Sequence, residues 1–160
     1  AFKNNRKVLI FANYNKCGEL IHRALDYPTS TFWSAINGST PQEERQPIVD
    51  SFTNHEGPGA LILNPRAAGA GLNITAATVV IHYTQYWNPA LEAQASARAH
   101  RIGQSEPVTI YHLYYKDTVE EVMIERSENR RNLANTAVLV TGENEKFDLT
   151  KALKISPLSK

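Results

Sequence analysis

Five short runs rich in β-branched and aromatic residues alternate with helical patterns along this chain, and that cadence limits the fold more than any other feature. The runs are KVLIFAN (7–13), TFWSAI (31–36), ALILN (60–64), TVVIHYT (78–84) and VTIYHLYY (108–115). Strands separated by helix-length segments cannot pair as hairpins; they pair in parallel and need cover on both faces. The expected class is therefore α/β, a parallel β-sheet flanked by helices on both faces. Cys17, Leu20, Ile21, Ala24 and Leu25 follow the first run at i, i+3, i+4, i+7 and i+8, which predicts an amphipathic helix. Thr40-Pro41-Gln42-Glu43 reads as a capping box with proline in the first helical position, opening a helix to about Phe52. Thr118-Val119-Glu120-Glu121 reads as a second capping box, opening a helix to about Asn132. The length of 160 residues suits one ordinary domain.

Bulk numbers close off several function classes. A hydrophobic share of 42% and a charged share of 21% belong to a globular, water-facing protein. A net charge of +1 gives no global field, so any phosphate binding has to come from local clusters. Cys17 is the only cysteine, which rules out an internal disulfide and a cysteine-rich zinc site and points to a reducing compartment. It sits on the apolar helical stripe, a place for core rather than for a nucleophile. The five histidines show no metal-ligand spacing. No apolar run approaches the roughly 20 residues of a membrane span.

The chemistry concentrates in two segments. In QASARAHRIGQ (94–104), Gln94, Arg98 and Arg101 are spaced i, i+4, i+7, so a helix at about 100° per residue aligns them on one stripe. Leu91, Ala95 and Ile102 form an apolar stripe beside them. Two guanidiniums on a rigid edge suit a polyphosphate, and they equally suit solvent or surface ion pairs. NPRAAGAGLNIT (64–75) follows the third strand, where parallel sheets collect ligands. Gly69 and Gly71 permit close backbone approach, and Asn73 and Thr75 offer phosphate-binding groups, although an ordinary glycine loop has the same composition. It is not a Walker A loop, since the chain has no Gly-Lys dipeptide, and no Asp-Glu dipeptide serves for magnesium. Ser39 and Arg45 flank the capped helix as candidate phosphate contacts, and Trp87 in YWNP is either a core anchor or a flat wedge against nucleic acid.

These blocks resemble the second RecA-like lobe of Swi/Snf-type ATPases, within helicase superfamily two. KVLIFANYNKCGELI, INGSTPQEERQ, AAGAGLNITAATVVIHYTQYWNPALEAQASARAHRIGQ and VTIYHLYYKDTVEEVMIER carry the likeness from Lys7 to about Arg126. The resemblance implies a RecA-like three-layer sandwich, with the lobe at 1–131 and a C-terminal extension at 132–160. It implies ATP with Mg2+, both held mainly by an N-terminal RecA-like lobe, and double-stranded DNA as the other partner, in a DNA-containing intracellular compartment. Arg98 and Arg101 would reach the β- and γ-phosphates with Gln94 in support, and Gly69, Gly71 and Asn73 would lie toward the nucleotide. Ser39, Arg45, Thr75 and Trp87 would face DNA. Two departures stand out: Thr84 and Gln85 where the family commonly has an acidic residue, and Asn64-Pro65-Arg66 where a small hydroxylated residue is common. The chain carries one half of such an ATPase, so the isolated lobe is expected to be inactive. A non-catalytic nucleic-acid or partner-binding module is the alternative. An upstream Gly-x-x-x-x-Gly-Lys-Ser/Thr would favour the motor.

Overall fold

The structure is a computed structural model that describes residues 1–25, 27–67, 71–99 and 106–135, with 89 and 130–135 described by backbone alone. Each expected strand is present, most of them trimmed at the ends: β1 (Lys7–Phe11), β2 (Phe32–Ile36), β3 (Gly59–Leu63), β4 (Val79–His82) and β5 (Thr109–His112). The helices are α1 (Cys17–Ala24), α2 (Gln42–Asn54), α3 (Pro89–Ser96) and α4 (Val119–Asn135). All five strands pair in parallel, in the order β2-β3-β1-β4-β5. This is the parallel α/β sheet that the cadence predicted, and it agrees with the RecA-like lobe that the resemblance implied.

Two-residue alternation splits the apolar side chains into a core on each face. Leu9, Phe11, Leu61, Leu63 and Val80 pack with Val49 and Phe52 of α2, with Ile74 and Ala77, and with Ala95 and Ala99. Val8, Ile10, Ala12, Ile62 and Val79 pack on the opposite face with Ile21 of α1. Burying a side chain of this kind contributes about 1.5–3 kcal/mol. Every residue of β3 is buried, as a central strand of a doubly covered sheet requires.

Three local expectations are corrected. In α1 only Gly18 and Ile21 are buried, and Leu20 is 61% exposed. A Cβ at Gly18 would lie 3.4 Å from Ala35 Cβ, so the helix comes down on its glycine and the contact stripe moves off Leu20. The capping box at Thr40 does not form. The Thr40 hydroxyl instead accepts from Asn37 N at 3.1 Å, and α2 starts at Gln42 without a side-chain cap. The helix at 94–104 ends at Ser96. Arg98 N and Ala99 N donate to Ala95 O and Ser96 O at 3.1 Å each, tight i+3 turns that take Arg98 off the α-helical spacing from Gln94, while Arg101 lies outside the described residues.

Two compact units divide the chain, Ala1–Thr84 with Ala93–His112, and Gln85–Glu92 with Leu113–Lys160. The first holds the sheet. In the second, α4 opens on a working cap: Thr118 Oγ1 accepts from Glu120 N at 3.3 Å, and Glu121 Oε2 accepts from Asp117 N at 2.9 Å. Val122 and Met123 are buried there, as is Glu92, whose Oε2 accepts from Ser127 Oγ at 3.3 Å. Among the described residues, no helix is long and apolar enough to cross a membrane.

Candidate functional site

At β1 the connections reverse. The segment after β1 passes to α1 on one face, whereas those after β3 and β4 pass to the other, where Ile74, Ala77 and Ala95 are buried. Chains that leave neighbouring strands in opposite directions open a crevice beyond their carboxyl ends. Short polar side chains cross-link the strands there. Asn64 Nδ2 donates to Asn13 O at 2.9 Å, Asn13 N donates to Thr84 Oγ1 at 3.0 Å, and Arg66 N donates to Asn64 Oδ1 at 3.0 Å. Asn64 and Thr84 are the positions where the wording departs from the family pattern, and here they hold the ends of β3 and β4 to β1. Asn13, Asn64 and Thr84 were absent from the sequence-derived site. Their signal is a small polar residue just past each of three adjacent strands.

The glycine-rich segment is pinned at both ends. On one side, Arg45 Nη1 donates to Ala67 O, while its Nε and Nη2 donate to Thr40 O at 3.0 and 2.9 Å. On the other side, Ile74 N donates to Arg98 O at 3.0 Å. Between these ties, Gly71 has φ +121° and nothing within 4 Å of where a Cβ would stand, so glycine is needed for conformation and the space around it is open. Asn73 is exposed and Thr75 half-buried. Gly69 and Arg101 lie outside the described residues.

The remaining candidates divide by exposure. Arg98 is buried, at 8% exposure, just past the end of α3, while Gln94 on the helix is exposed. Ser39 is exposed in the turn before α2, where its N and Oγ donate to Asn37 Oδ1 at 2.9 and 2.6 Å. Arg45 is half-buried, and three of its N–H groups go to Thr40 O and Ala67 O. Trp87, in the second unit, is 43% exposed with the Arg126 guanidinium 5.9 Å from its ring centroid. That exposure excludes the core-anchor reading.

Sequence reasoning also missed a ring stack in the first unit. His82 is fully buried between Phe11 (5.2 Å) and His112 (4.7 Å), and its Nε2 pairs with Ser96 Oγ at 2.9 Å. Stack and hydroxyl together fix the last residue of α3, two before Arg98.

The groups at this end of the sheet are amides, hydroxyls and guanidiniums. Such a donor set fits the anionic end of a nucleotide. It does not fit Mg2+, and no group of three or more His, Cys, Asp or Glu able to hold a metal exists among the described residues.

Comparison with known proteins agrees with this layout. Residues 1–103 match the model of the helicase conserved C-terminal domain. Protein CHROMATIN REMODELING 19 of Arabidopsis thaliana is 39% identical over 140 residues, 88% of this chain and 18% of that protein. The solved C-terminal part of the Fun30 ATPase domain is 34% identical, with a TM-score of 0.68, over 78% of this chain and 40% of that one. The Sulfolobus solfataricus SWI2/SNF2 ATPase core domain is 27% identical, with a TM-score of 0.64, over 87% of this chain and 28% of that one.

Proposed function

Because this chain belongs to the helicase conserved C-terminal domain family, in its Swi2/Snf2 branch, we propose that it is the C-terminal lobe of an ATP-driven double-stranded DNA translocase. The observation that supports this most is the tethering of the glycine-rich segment, to the Ser39 turn through Arg45 and to Arg98 through Ile74. In this reading a shift at one tie would be passed along the segment to the other, as coupling a nucleotide to a DNA backbone requires.

In this reading ATP, bound with Mg2+ chiefly by an N-terminal lobe, supplies the phosphoryl group. This chain supplies charge and position. Arg98 and Arg101 present permanently charged forks to the phosphates, with Gln94 beside them, and offset the negative charge that develops during transfer. Gly71 and Asn73, with Gly69, let backbone and amide approach the nucleotide. Ser39, Thr75 and Trp87 face the duplex, and Arg45 acts by holding the Ser39 turn rather than by touching phosphate. The enzyme would work in a compartment that contains DNA.

The lobe alone, with no Walker A loop, should not turn over ATP. Phosphate release from the isolated chain should stay at background with or without duplex DNA, and appear when the phosphate-loop lobe is joined to it. DNA-stimulated turnover by the isolated chain would contradict the assignment.

A further inference from the structure

A groove of about 440 Å³ runs between the outer edge of β2 and the flank of α2, away from the crevice and unused by the mechanism above. Trp33 and Ser34 of β2 and Glu43, Glu44, Pro47 and Ile48 of α2 line it.

The strand edge beside it is open. β2 ends the sheet order, and among the described residues it pairs with β3 alone. Phe32 N donates to Pro58 O at 3.0 Å and Ile36 O accepts from Asn64 N at 2.9 Å, so Phe32, Ser34 and Ile36 turn their backbone groups toward β3. By strand alternation Trp33 and Ala35 turn theirs outward. Proteins usually blunt such an edge with a charge or a proline, and FWSAI contains neither. On the facing helix, Pro47 has no N–H to donate to Glu43 O, which leaves an intrahelical bond unmade beside the groove.

Charge selects the occupant. Glu43 and Glu44 are exposed, and among the described residues no basic side chain lines the groove. Arg45, next in sequence, does not line the groove; its guanidinium donates to Thr40 O and Ala67 O. The two glutamates also favour the N-terminus of α2, so their charge alone would not require a partner. The unprotected strand edge does.

We propose that this groove receives an extended peptide of another protein that alternates apolar with lysine or arginine residues and adds a sixth strand beside β2. Main-chain bonds to Trp33 and Ala35 supply affinity, apolar side chains meet Ile48 and Pro47, and basic ones meet the glutamates.

The test titrates the full chain with a labelled hexapeptide of alternating valine and lysine, and with its valine–glutamate counterpart, following anisotropy and amide exchange. The basic peptide should bind saturably and slow exchange at Trp33 and Ala35, while the acidic one should not bind. Glu43→Lys with Glu44→Lys, both exposed, should weaken binding about tenfold or more. Ala35→Pro removes an outward N–H and should abolish strand addition, with circular dichroism and urea unfolding checking that the added ring leaves the packing of α1 on Gly18 intact. Equal binding of both peptides, no saturable binding, or binding without protection at Trp33 and Ala35 (a helical or purely electrostatic contact) would overturn the proposal.

Discussion

One face of the sheet carries α2, Ile74 and Ala77 from the connection after β3, and the end of α3, whereas the other carries α1 and a stack of rings. On the first face, three connections converge and are tied to one another through Arg45, Ala67, Ile74 and Arg98. On the second, His22 and Tyr27 stack on Trp33 at 4.7 and 5.4 Å, and α1 rests on Gly18 and Ile21. Both faces exclude water from the sheet. They differ in what joins their segments: hydrogen bonds to backbone carbonyls on the first, ring contacts on the second. The difference teaches that reversal of the connections at β1 sets where hydrogen-bonded connections gather: those after β2, β3 and β4 lie on one face and α1 on the other.

Core truncation should break the comparison most visibly. Phe52→Ala, at a fully buried site under α2, should cost about 3–5 kcal/mol in urea unfolding, and Ile21→Ala under α1 closer to about 2 kcal/mol. Equal or reversed costs would mean that the second face contributes more than its short helix suggests. Arg45→Met should cost about 2 kcal/mol, by removing charge-assisted bonds to two carbonyls. Its sharper signature is local: amide exchange should speed up at Ala67 and through the Ser39 turn, and stay unchanged in α1. Uniform acceleration would deny the tie.

The smallest effect concerns Lys7, whose ammonium donates to Thr53 O at 2.7 Å beside the Phe52 ring. Burial lowers its pKa below the ordinary 10.5, so just below 10.5 the folded state binds fewer protons than the unfolded one. Stability should therefore rise slightly with pH through that window, and the burial penalty should be present in full at lower pH. Lys7→Met should flatten that rise, as followed by thermal unfolding at alkaline pH.

Strand positions and fold class were legible because short continuous apolar runs rich in β-branched residues, spaced by helix-length segments, depend only on neighbours in sequence. The errors arose where a side chain had a better partner elsewhere. Thr40 was read as a cap, but Asn37 N takes its hydroxyl. Leu20 was placed on the apolar stripe, but the close approach of Gly18 to Ala35 turns that stripe aside. The alanine-rich run past Ser96 has high helix propensity, yet it folds into tight turns that carry Arg98 into a buried position and lend its carbonyl to Ile74. The Asn13–Asn64–Thr84 lattice was hidden for another reason. Its members are 51 and 71 residues from one another along the chain and meet only because β1 lies between β3 and β4.

The most direct test of the central claim, that this lobe offers arginines to a nucleotide held by another, is DNA-stimulated phosphate release by the two-lobe enzyme carrying Arg98→Lys or Arg101→Ala. Turnover should fall by roughly 10³–10⁵-fold, with duplex affinity nearly unchanged. Turnover within a few fold of the parent enzyme, in variants that fold normally, would contradict it.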